Sequence, residues 1–96
     1  MTVEDIRPIV INAIRQKVAE MLRGYEIESC EIEGREDAAG DDAIFITVHY
    51  RLVDLPYDSG LSIPLRSAIW KIFEELRERR IPYLRLRLNE TQEHLV

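Results

Sequence analysis

Between Ser62 and Asn89 the spacing of apolar residues changes without a break from a helical period to a strand period. Leu65, Ile69, Ile72, Phe73 and Leu76 recur as the stripe of an amphipathic helix; Leu84, Leu86 and Leu88 then alternate with Arg85, Arg87 and Asn89. The change falls at Arg80-Ile81-Pro82. Proline disfavours helical backbone at the residue before it and has no N–H to give a helix ladder. A helix that becomes a strand over so few residues must fold back on a sheet.

The same pattern read upstream predicts a first helix, in which Ile6, Val10, Ala13, Ile14, Val18 and Met21 share a stripe that Ile11 and Leu22 widen. Pro8 belongs in its first turn, where a missing N–H costs nothing, so Asp5 is the expected cap in preference to Thr2. Gly24, preceded by Arg23, is the expected left-handed stop. The apolar arc is broader than one sheet face requires. It is therefore expected to meet both a sheet and the second helix, or a second copy of the chain.

A first strand is expected through Cys30 and Ile32 to Gly34, with Tyr25 and Ile27 folded back on the helix end. Ile27 and Cys30 conflict in parity, which calls for a bulge or a strand start near Ser29. The polar stretch Gly34 to Asp42 reads as a hairpin connection, and Ala43 to Leu52 as the strongest strand. In that strand Ile44, Ile46, Val48 and Tyr50 share one face, and Phe45, Thr47, His49 and Arg51 the other. Apolar residues on both faces mark it as central. Val53 to Leu61 then crosses to a second helix starting between Ser62 and Pro64.

The predicted order is α-β-β-α-β in a single α+β domain spanning residues 1–96. A hairpin sets the first two strands antiparallel, and a right-handed crossover sets the third parallel to the second. The expected fold is a two-layer α/β sandwich, with a three-stranded mixed sheet in order 1-2-3 and both helices on the Ile44/Leu84 face. The other face would then stay open, carrying Glu31 and Glu33 on one edge, Phe45 to Arg51 in the middle, and Tyr83, Arg85 and Arg87 on the far edge. Residues 90–96 read as a frayed tail or short helical cap.

Composition narrows the class. The chain has 96 residues, 46% hydrophobic and 32% charged, enough for one core but not for a second lobe around a deep cleft. Apolar runs are short, as in Ile9-Val10-Ile11, so neither a membrane span nor a signal-peptide core is expected and a cytoplasmic location is. Cys30 is the lone cysteine and reads as a small buried apolar residue. A net charge of −5 argues against general affinity for nucleic acid or anionic membranes. That average hides a dipole: eight acids oppose Arg35 alone between Glu26 and Asp42, whereas seven basic residues oppose three glutamates between Arg66 and Arg87.

Catalytic chemistry finds no set to work with. Nucleophilic catalysis needs a base beside a Ser, Cys or Thr, and the two histidines lie in mid-strand and in the tail. Asp41 and Asp42 sit together in a loop without an apolar setting to split their pKa values, the calcium-loop oxygen spacing is missing, and the four glycines are isolated. No enzymatic activity, cofactor or metal is expected. The candidate partner-binding residues are Phe45, His49, Arg51, Tyr83, Arg85 and Arg87 on the open face, and Trp70 on the second helix. Trp70 reads either as a boundary residue packed over Phe73, with Arg66 and Arg77 near it, or as an exposed anchor.

The element order is similar to the core order of type II KH domains. Arg66 near the helix start, followed by Arg80-Ile81-Pro82 leading into the last strand, resembles the pattern of the ribosome-binding factor A family, KH-like proteins that assist small-subunit maturation. That resemblance implies RNA or the ribosome as partner, met through Arg77, Arg80, Arg85 and Arg87. The chain has no G-x-x-G loop to clamp a nucleotide backbone, and it is acidic where that family is basic. The leading expectation is thus a non-enzymatic interaction or regulatory module, acting as a homodimer or on a protein partner, with RNA second.

Overall fold

The computed structural model describes residues 6–52 and 62–88. Thr2, Asp5, the connection 53–61 and the tail 89–96, each given a role above, lie outside the described residues. The elements are α1 (Pro8–Met21), β1 (Tyr25–Glu36), β2 (Asp42–Leu52), α2 (Ser62–Glu75) and β3 (Ile81–Leu88). They form the α+β arrangement the pattern predicts: a three-stranded sheet in order β1-β2-β3, with β1 antiparallel and β3 parallel to β2.

The main apolar cluster lies on one side of that sheet. From β2, Ile44, Ile46 and Val48 are fully buried and Tyr50 nearly so. With them pack Val10, Ile14 and Val18 of α1, Leu22 just past its end, Leu65, Ile69, Ile72 and Phe73 of α2, and Leu84 of β3. Ile6, Ala13 and Met21 are partly buried against the same cluster. The wide apolar arc of α1 is thereby filled within the chain by the sheet and α2 together.

Three local boundaries differ from expectation. Pro8 is the first residue of α1, and Arg7, not Asp5, occupies the capping position with extended backbone and no side-chain cap. The fixed φ of proline suits the first helical residue, so the helix begins there. β1 starts at Tyr25 and keeps its parity through a bulge between Ile27 and Ser29. It also runs past Gly34 to Glu36, because Arg35 and Glu36 still pair with Ala43 and Asp42. Only 37–41 remains as the turn. There one Asp37 carboxylate oxygen accepts the N–H groups of Ala39 and Asp41 at 2.9 Å each, and Gly40 takes φ +88°.

At the same end of the sheet, just before β3, the last turn of α2 closes by two bonds. The Glu78 N–H donates to the Phe73 carbonyl at 2.8 Å and that of Arg77 to Glu74 at 3.2 Å. This geometry needs a left-handed residue, and Arg77 supplies it at φ 56° where glycine is usual. Left-handed backbone costs a residue with a Cβ roughly 1–2 kcal/mol. Replacing Arg77 by glycine is expected to raise the unfolding free energy by about 1 kcal/mol, after allowance for the freer unfolded chain, in urea titration. A fall in stability would contradict this account of the turn.

Arg7 reaches this turn from the start of α1 and donates to the Leu76 carbonyl at 2.6 Å, at the negative end of α2. The Glu78 carboxylate lies 3.9 Å from Arg7 and 3.6 Å from the Arg80 guanidinium, with side chains of Glu78 and Arg80 only 9% and 15% exposed. Glu78 also accepts the Arg80 N–H at 3.2 Å. The helix-to-strand turn before Pro82 is therefore pinned by charge. Among the described residues no helix is long and apolar enough to cross a membrane.

Candidate functional site: the open sheet face

Strand pairing lays the uncovered face out in rows. Glu33, Phe45 and Tyr83 form one row, Glu31, Thr47 and Arg85 the next, then Ser29, His49 and Arg87, with Arg51 opposite Glu26 beyond. Six of the seven candidate residues thus share one surface. Trp70 does not: it sits on α2 in the helix layer, 49% exposed, seven residues from the still barer Ile63.

The aromatic end of the face is pre-assembled. The Phe45 and Tyr83 rings stack with centroids 4.9 Å apart at 19°, and the Arg35 guanidinium lies 3.7 Å from the Phe45 centroid. Phe45 is accordingly half-buried between two neighbours, while Tyr83 remains 39% exposed. The Tyr83 hydroxyl donates to Asp37 at 2.8 Å and ties the hairpin turn to the far strand. That bond, followed by backbone N–H groups of the turn, lowers the Asp37 pKa, and it raises that of Tyr83.

Charge on the remaining rows is unevenly satisfied. Arg51 binds Glu26 at 2.6 Å and approaches Glu28 at 3.9 Å, so it clamps β1 to β2. Arg35 pairs with Glu33 at 3.4 Å, and His49 Nε2 lies 3.9 Å from Glu31. Arg85 and Arg87 are exposed, and among the described residues neither makes an ion pair or hydrogen bond. Their side chains, about 7 Å apart along the strand, stand beside Thr47 and His49. Glu31, Phe45, Thr47 and the two arginines line a shallow depression of ≈ 270 Å³.

Arg35 and Asp37 were not candidates from sequence, although both shape the face. For Arg35 a signal existed, since it continues the outward parity of Glu31 and Glu33; ending the strand at Gly34 hid it. Asp37 touches Tyr83 across 46 residues of sequence, and no local pattern reports such a contact. Cys30 lies half-buried on the core side, where burial pushes its thiol pKa up. To a partner this arrangement offers a stacked aromatic pair, two guanidinium groups unengaged among the described residues, and an acidic edge. Comparison of the chain with protein-family models, curated proteins and solved structures found no match.

Proposed function

We propose that the chain is a non-enzymatic protein-interaction module of the cytoplasm whose docking surface is the open sheet face. One observation carries this reading: Arg35 and Arg51 are each matched by a glutamate, but Arg85 and Arg87 have no such match among the described residues. Arginine beside aromatic rings is the composition of interface anchors. The acidic edge across the sheet gives a partner its orientation and helps guide its approach.

RNA is the second reading, favoured by the exposed Tyr83 ring on the same strand as guanidinium groups without partners among the described residues, a surface on which bases can stack. Arg80 adds nothing to it, being held in the Glu78 turn. A photo-reactive p-benzoylphenylalanine in place of Thr47, irradiated in cells, separates the readings. A protein adduct is the expected result. A nucleic-acid adduct favours the second reading, and no adduct overturns both.

A further inference from the structure

We propose that the open face takes a second copy of this chain, in a two-fold dimer whose axis runs along β2. This rests on the docking reading above and adds the partner's identity. The two edges of the face are complementary: Glu31 and Glu33 project at alternate positions of β1, and Arg85 and Arg87 do so at alternate positions of β3. Glu31 and Arg85 also belong to the same row, on either side of Thr47.

Symmetry then chooses the docking geometry. Two open faces can meet about an axis lying across the strands or along them. An axis across the strands puts β1 over β1 and β3 over β3, so that acid meets acid and arginine meets arginine. An axis along β2 puts β1 of each copy over β3 of the other. Glu31 then faces the second copy's Arg85, twice per dimer, while Thr47 meets its own equivalent at the centre. Stacked sheets keep their strands roughly aligned, which preserves this pairing of edges.

Area sets the strength. Three strands about 4.8 Å apart and eight paired rows of about 3.3 Å give a footprint on the order of 400 Å². A standard interface buries roughly twice that per partner. The dimer is therefore weak and reversible, and its ion pairs lie at the rim, where salt screens them.

The test is charge reversal on the full chain, followed from 10 μM to about 1 mM by light scattering and sedimentation. Wild type is expected to pass reversibly from monomer to dimer, less readily in high salt. Arg85→Glu/Arg87→Glu and Glu31→Arg/Glu33→Arg are each expected to weaken self-association at least tenfold. Mixed in equal amounts they regain wild-type association, since both contacts are restored between unlike chains. Because Glu33 also pairs with Arg35, the single changes Glu31→Arg and Arg85→Glu provide a milder matched pair. Circular dichroism confirms that each variant folds. A wild type that stays monomeric throughout, reversed variants that still dimerise, a mixture that fails to recover, or growth beyond two copies overturns the proposal. If wild type is monomeric yet Thr47 cross-links to a different protein, the docking reading stands and the self-pairing falls.

Discussion

Replacing Ile46 by alanine is expected to lower the unfolding free energy by about 3–4 kcal/mol, the largest loss from any single truncation described here. Ile46 is fully buried at the middle of the central strand, with Ile32 and Leu84 beside it on the flanking strands. Both helices lie over the same face. A methyl cannot fill that space, and a sheet face packed under two helices has little room to collapse into the void. The change should move the urea midpoint without altering the slope, because the surface exposed on unfolding is nearly the same. Ile46→Val removes one carbon and should cost about 1 kcal/mol. A loss below about 1 kcal/mol for the alanine variant would mean that Ile46 is not enclosed by both layers.

Glu78→Ala is expected to cost about 2–3 kcal/mol, a large effect for a residue outside the apolar core. Its carboxylate sits between the guanidinium groups of Arg7 and Arg80 and accepts the Arg80 N–H. Removal leaves a largely buried Arg80 without that counter-charge and loosens the turn delivering the chain into β3. The expected loss lies below that for a fully buried pair, since Arg80 keeps 15% exposure and has further contacts. Glu78→Gln retains an acceptor for the backbone N–H and should recover part of the loss, which separates the hydrogen bond from the charge. A cost under about 0.5 kcal/mol for the alanine variant would show the cluster to be a solvated surface pair.

How far the chain announces this structure depends on the range of the interaction. Periodicity exposed the helix stripes and the two faces of β2, because each is written in residues that are sequence neighbours. Pro82 and Gly24 marked turns by backbone geometry alone. Even the bulge showed as the parity clash between Ile27 and Cys30, and β1 confirms it. Edges of elements were less legible. The end of β1 is decided by pairing with β2, so Arg35 and Glu36 join a strand despite their polar setting. Likewise Pro8 overrode Asp5 at the start of α1.

The candidate site was legible as a set of outward positions but not as a set of partnerships. Alternation alone put Phe45, His49, Arg51, Tyr83, Arg85 and Arg87 on one face. It gave no means of telling that Arg51 is held by Glu26 and Glu28 while Arg85 and Arg87 lack such partners among the described residues. Such distinctions depend on cross-strand register. Trp70 was ambiguous for a related reason, since its place on the helix wheel leaves its packing over Phe73 open. It is 49% exposed, in the helix layer and apart from the open face.

The most direct measurement compares photo-cross-linking from two positions, with the reactive side chain placed once at Thr47 in the open face and once at Trp70 in the helix layer. Docking on the sheet face requires a discrete protein adduct from position 47 and none from position 70. An adduct from position 70 with position 47 silent would contradict it.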